Sequence, residues 1–251
     1  MNRRDFFKLI GLGTVATASV PLLGMVQQPA VIKPPSELDD LYAYLESKTV
    51  QHPIKGVIPY KLLPYQKEIL KTIHENDRVI IVKARQIGMT TMLAGYYAWR
   101  SQKDNPKITL STDRRVTKTD FLKRVKYFNP KISKPYKFHH TDVNSVNIYD
   151  EYQFSSDFGS DHSFHFDLYF THLLSPGKHI FAGSVDKEGK LRNIVYELTG
   201  RENPYKVHFY PVSRCQGSWD DERIDRVRPH YTIEEWQRDF DCQWCPQWCL
   251  V

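Results

Sequence analysis

A chain of 251 residues in which 35 Lys and Arg outweigh 29 Asp and Glu has a formal charge of +6, so anionic partners are expected, nucleic acid among them. No internal repeat and no low-complexity block occurs, which excludes solenoid and compositionally disordered architectures. The length suits one larger domain or two small ones.

The first residues, MNRRDFFKLIGLGTVATASVPLLGMV, place Arg3, Arg4 and Lys8 before a weakly apolar run of about fifteen residues rich in Gly, Ala and Thr. The string Arg3 to Lys8 resembles a twin-arginine export signal with its RRxFxK core; a flexible extension is the alternative reading. The apolar run is too short and too interrupted to span a bilayer, so no stable membrane insertion is expected. Pro29, Pro34 and Pro35 mark a linker. Residues 1–37 are therefore read as an N-terminal extension and residues 38–251 as one folded domain, about 210 residues long and large enough for an α/β core.

Within that domain, Asp39 to Glu46 predicts a short helix, and Leu62 to Ile73 another, with apolar residues at helical spacing. Val79-Ile80-Ile81-Val82 is a β-branched apolar run, the pattern of a strand buried on both faces. It leads through Lys83, Arg85, Gln86 and Gly88 to Thr90-Thr91 and an apolar helix ending near Trp99. A second strand is expected at Lys107 to Thr112, then a basic helix around Thr119 to Tyr127. Ser145 to Tyr149 reads as a strand ending in Asp150-Glu151, followed by a polar, aromatic loop and an apolar segment, Leu168 to Leu174. Lys178 to Phe181 is a strand ending in Ala182-Gly183-Ser184; Leu191 to Leu198 is a helix, and Tyr205 to Val212 a last strand. Thr232 caps a final helix with an acidic first turn. Strands alternating with helices predict an α/β fold, a mostly parallel sheet flanked by helices.

In such a sheet, ligands bind outside the carboxyl ends of the strands. Three predicted strands end there in groups suited to nucleotide hydrolysis: Lys83 to Thr90, Asp150-Glu151 and Gly183-Ser184. A buried strand, a glycine loop and a helix start make an anion site, because free N–H groups and the helix dipole face the ligand. The loop departs from the GxxxxGK[ST] pattern: its first glycine is missing and Met89 stands where the lysine belongs. Lys83 and the loop amides through Gly88 are expected to hold the β- and γ-phosphates of ATP, with Thr90 and Asp150 on Mg2+ and Glu151 polarising water.

Lysines and arginines crowd Lys103 to Lys137, interleaved with Tyr127, Phe128, Tyr136 and Phe138, as in a surface for phosphate backbones. Cys242, Cys245 and Cys249 have spacing able to ligate a metal if Cys215 or His230 supplies a fourth ligand; free thiols are the alternative.

Taken as a set, these residues resemble the ATPase domain of a tailed-phage terminase large subunit, a P-loop NTPase of the ASCE type that pumps DNA. The resemblance runs from Leu62 to Trp244. It implies that Gln66 recognises adenine and that Lys83 to Thr91 is the Walker A region, with its lysine displaced to the start. Lys83, Gln86, Gly88, Met89, Thr90 and Thr91 are then nucleotide-binding, and Arg85 is an arginine finger acting in cis. Ile148 to Glu151 matches Walker B with Glu151 catalytic, and Ala182-Gly183-Ser184 matches the coupling motif, adding Gly183 and Ser184 to the site. The implied partners are double-stranded DNA, a portal protein and procapsid, a terminase small subunit, and further copies in a homo-oligomeric ring, in the cytoplasm of an infected host cell. Terminases continue into a nuclease domain with clustered acidic metal ligands. No such domain is expected here, since Asp220-Asp221-Glu222 reads as a solvated turn. The rival readings are a helicase-like nucleic-acid translocase, which shares the chemistry, and an exported binding protein.

Overall fold

The structure, a computed structural model, describes residues 36–52, 55–103, 108–112, 115–132, 146–150, 177–187, 189–199 and 205–244. The twin-arginine-like segment, the proline linker, Glu151, the segment Leu168 to Leu174, Cys245 and Cys249 lie outside the described residues.

The helices are α1 (Glu37–Glu46), α2 (Pro64–Glu75), α3 (Met89–Arg100), α4 (Arg115–Phe128), α5 (Lys190–Thr199), α6 (Asp221–Val227) and α7 (Ile233–Asp239). The strands are β1 (Thr49–His52), β2 (Gly56–Pro59), β3 (Arg78–Lys83), β4 (Ile108–Thr112), β5 (Val146–Asp150), β6 (Lys178–Gly183) and β7 (Lys206–Tyr210). β1 and β2 form an antiparallel hairpin. The other five make one sheet in the order β4-β5-β6-β3-β7, every neighbouring pair parallel. The strand that carries the loop, β3, is thus separated from the strand that ends in Asp150, β5, by one inserted strand.

Burial explains the sequence pattern of the central strands. β5 is buried at every position, and β3 and β6 at every position but the first, which an apolar run tolerates and an alternating one would not. β7, at one edge, is buried only at Tyr210 among its five residues. Helix starts are fastened locally. Ser36 and Asp39 form a capping box on α1, and Pro64 opens α2 where its missing N–H costs nothing. The end of α2 is closed from the sheet: Lys178 Nζ donates to the carbonyls of Ile73 (2.9 Å), His74 (3.2 Å) and Asn76 (2.6 Å).

Some expectations change. The β1–β2 hairpin was not legible, because both strands are only four residues long and β2 alternates only between half-buried and exposed positions. α2 begins at Pro64 rather than Leu62 and α4 reaches back to Arg115. The last strand stops at Tyr210, where the chain turns into a short 3-10 segment at Val212–Arg214. Asp220-Asp221-Glu222 is not a turn: the Asp220 side chain accepts from Arg223 N, capping α6, and the two following acids sit in its first turn, favoured there by the helix dipole.

Every residue of α3 from Met92 to Trp99 is buried. Its closest approach to neighbours falls at Gly95, where an added Cβ would run into Leu45 of α1 and stand 3.1 Å from the Phe128 ring of α4. Gly95→Val is expected to cost about 1–3 kcal/mol through overpacking, read as a lowered urea midpoint with unchanged slope; a midpoint at or above that of the parent would contradict this packing.

Candidate functional site

The segment from Lys83 to Thr91 leaves β3 and re-enters as α3 through two left-handed residues, Gln86 (φ 60°) and Gly88 (φ 78°). Glycine adopts this conformation freely, and at Gly88 it also makes room, since a Cβ there would stand 3.1 Å from Gln66 Nε2. Glutamine has no such freedom, so its backbone must be held from outside.

The bracing comes from three directions. From β7, the Tyr210 carbonyl accepts from Ala84 N (2.9 Å). From α2, Tyr65 Oη donates to the Ile87 carbonyl (2.7 Å) and Gln66 Nε2 donates to the same oxygen (3.4 Å). From the C-terminal elements, the Asp239 carbonyl accepts from Arg85 N (2.9 Å), and Arg223 Nη2 donates to Gln86 Oε1 (2.9 Å). With the loop so held, the backbone N–H groups of Gln86, Ile87, Gly88, Met89 and Thr90 donate to no acceptor among the described residues. They form a run of donors at the start of a twelve-residue helix, which is the chemistry of a phosphate site.

Beneath that row lie the strand ends. Lys83 Nζ donates to Ser184 Oγ at 3.0 Å, both side chains buried. The register sets Val82 beside Gly183 and Asp150 beside Ala182. Lys83, Gly183-Ser184 and Asp150 therefore emerge together at the carboxyl edge of three adjacent strands. With strands about 4.8 Å apart, β3 and β5 stand about 10 Å from each other. Asp150 is fully buried. Just after Ser184, the Asp186 carboxylate accepts from Lys190 N (2.9 Å) and Leu191 N (2.8 Å), anchoring α5 to the same edge.

The remaining expected residues divide by what their side chains can reach. Arg85 is 44% exposed and pairs through Nε with Asp239 Oδ2 at 3.4 Å. Met89 is buried in the core, so it offers the loop its N–H and not its side chain. Thr90 is half-buried in the first turn of α3. The Thr91 hydroxyl accepts from Arg124 Nη1 of α4 (2.6 Å). Gln66 is buried and its amide is used at both ends, since Oε1 accepts from Leu63 N (3.1 Å) while Nε2 reaches Ile87. Each end keeps one further capacity, a second N–H and a second lone pair, so contact with a base is compatible with both bonds. Glu151 lies outside the described residues.

Sequence reasoning missed Tyr65, Arg223, Asp239 and Arg124 as supports of this loop. Tyr65 had a local signal, its place beside Gln66. The others had none, because Arg223 meets Gln86 across 137 positions of chain.

On α4, Lys123, Arg124, Lys126 and Tyr127 are exposed, as is Lys131 beyond it, whereas Phe128, expected on the same surface, is buried against Gly95 and Tyr60. Among the described residues no group of three or more His, Cys, Asp or Glu is placed to hold a metal. Cys215 and Cys242 are buried free thiols, and His230 sits in an exposed 3-10 turn. No described helix is long and apolar enough to cross a membrane.

Burial pushes the Cys215 and Cys242 thiols up to about 12 from an ordinary 9.0. A raised folded-state value favours the protonated native form, so this contribution to stability is complete below pH 9 and is lost as pH rises toward 12. Both thiols are expected to resist iodoacetamide at about pH 8 in the folded chain and to react once urea unfolds it; prompt alkylation of Cys215 without unfolding would contradict their placement.

No family model matches the sequence, and no curated protein matches it. Among solved structures, the large terminase of bacteriophage HK97 superposes with a TM-score of 0.57 and 14% sequence identity, over 81% of this chain and 54% of that one. A large terminase from a thermophilic bacteriophage, determined in complex with ADP, gives a TM-score of 0.49 and 12% identity, over 68% and 49% of the two chains. The chain thus shares the fold of the HK97 large terminase and spans about half the length of either protein.

Proposed function

We propose that this chain is an ATP-hydrolysing motor domain of the terminase large-subunit type, which couples turnover to movement of double-stranded DNA. The observation that carries the reading is the row of unused loop N–H groups following a buried lysine, with a buried aspartate at the same sheet edge one strand beyond β6. Holding a charged, metal-bound phosphate chain is the function that accounts for all three together.

The residues fit such a substrate. The amides from Gln86 to Thr90 receive phosphate oxygens, and Lys83, kept in place by Ser184, supplies a full positive charge at the sheet end of the loop. Mg2+ would be held by the Thr90 hydroxyl and, through water, by the Asp150 carboxylate, and would neutralise charge on the phosphates. Glu151 follows Asp150 at the strand end and is assigned the orientation of the attacking water. Arg85, half in solvent at the mouth of the loop, is assigned the charge that develops on the γ-phosphate. Gly183 and Ser184 link the lysine to β6, and Asp186 ties the same strand end to α5, so a change at Lys83 has a short path to a helix. Gln66, buried beside the loop, is assigned the contact with the adenine base and also supports the loop through Ile87.

The exposed basic face of α4 supports contact with the DNA backbone, which any cationic helix makes independently of sequence. A portal protein and procapsid, a small subunit and a ring of further copies belong to the same reading, as do a cytoplasmic location in an infected cell and residues 38–251 acting as the motor domain.

Purified chain is expected to hydrolyse ATP in a Mg2+-dependent way. Lys83→Ala should lower kcat/KM by about a hundredfold or more, the scale of removing one preorganised charge from a transition state. Glu151→Gln should bind ATP as the parent does and lose turnover. Equal hydrolysis by parent and both variants would reject the assignment of the site. DNA affinity should fall steeply between about 50 and 200 mM salt, and Lys123→Ala with Lys126→Ala should flatten that dependence by roughly one unit of slope for each charge removed.

A further inference from the structure

The loop's left-handed Gln86 is a contradiction in local terms: a residue with a Cβ in a conformation that glycine occupies freely. Its side chain accepts from Arg223, through the 2.9 Å bond from Nη2 to Oε1. Arg223 is itself immobilised. Nη1 donates to the Ser218 carbonyl, and the guanidinium stacks over the Trp219 indole at 4.0 Å from the ring centroid. Trp219 is packed edge-on against Phe240 (5.1 Å) and Trp236 (6.2 Å), which stack on each other at 4.4 Å. Ser218 Oγ in turn pairs with Tyr65 Oη at 2.7 Å, the hydroxyl that holds Ile87.

We propose that Arg223 is a positioning residue for nucleotide binding: it clamps Gln86 in the left-handed conformation and so keeps the loop N–H groups turned toward the phosphates. Arg223 need not touch the nucleotide. A planar, forked guanidinium is suited to this task, because it can stack on Trp219 while its two terminal nitrogens serve different carbonyl oxygens. Lysine can supply charge to Gln86 but not both bonds and the stacking together. The clamp is rooted in the aromatic block of α6 and α7, which also provides Asp239 to the preceding loop residue, Arg85. Two consecutive loop residues therefore take their conformation from the last described elements of the chain.

This inference rests on the nucleotide reading above, and the test separates the two. Binding of ATP and of inorganic tripolyphosphate, each with Mg2+, is measured by calorimetry for the parent, Arg223→Ala, Arg223→Lys, Gln86→Gly and the double variant Arg223→Ala with Gln86→Gly. Thermal melting checks that each is folded. Arg223→Ala is expected to bind both ligands about tenfold more weakly, the scale of freeing a non-glycine residue from a left-handed conformation. Arg223→Lys should recover only part of that loss. In the Gln86→Gly background, whatever affinity that variant has by itself, removing Arg223 should change binding by less than about twofold, because glycine needs no clamp. Among folded variants, an Arg223→Ala that binds like the parent, or a double variant about tenfold weaker than Gln86→Gly, overturns the clamp. A parent that binds neither ligand overturns the nucleotide reading and the clamp with it.

Discussion

The loop from Lys83 to Thr91 does not hold its own shape, and most of what is notable in this molecule follows from that constraint. A segment whose N–H groups are left open for a ligand has given up the internal hydrogen bonds that would stabilise it. Its conformation must then be imposed from outside. Here the Tyr210 and Asp239 carbonyls, the Tyr65 hydroxyl, the Gln66 amide and the Arg223 guanidinium each take one group of the loop. Such bonds individually contribute about 0.5–1.5 kcal/mol, comparable to the cost of a non-glycine residue in the left-handed region. Several are therefore needed, and they come from different elements.

The sheet order serves the same end. Placing β6 between β3 and β5 separates the loop from Asp150 by about two strand spacings. The gap is floored by small residues, Ala182 and Gly183, and by Ser184, whose hydroxyl engages Lys83. The lysine that sits on the helix in the usual loop pattern is replaced by a methionine that packs into the core. The cation instead rises from the strand, where burial and the Ser184 contact restrict it more closely than a helix side chain at the loop mouth would be.

Much of the architecture was legible in the residues. The apolar runs of β3, β5 and β6 announced strands covered on both faces, and the polar groups at their ends come together at one edge of the sheet. Helical spacing marked α2, while α3, buried from Met92 to Trp99, was read from its apolar run after the glycine loop. What was not legible shares one property, a dependence on partners distant in the chain or on weak local patterning. The β1–β2 hairpin has short strands without a strong alternation, and Asp220 reads as part of a turn until its side chain is placed against Arg223 N. Thr91, counted with the nucleotide-binding residues, has its hydroxyl engaged by Arg124 of α4, a contact no spacing rule could supply.

By itself the sequence determined the class of fold, the position of the loop and the chemical types gathered at the strand ends, because hydrophobic periodicity and glycine placement act over a few residues. Tertiary structure alone decided the strand order, the inward turn of Met89, the reach of the Gln66 amide to Ile87 and the dependence of the loop on Arg223 and Asp239. These are pairings between residues tens to more than a hundred positions apart. They are set by how whole elements pack, and packing leaves no local periodic trace.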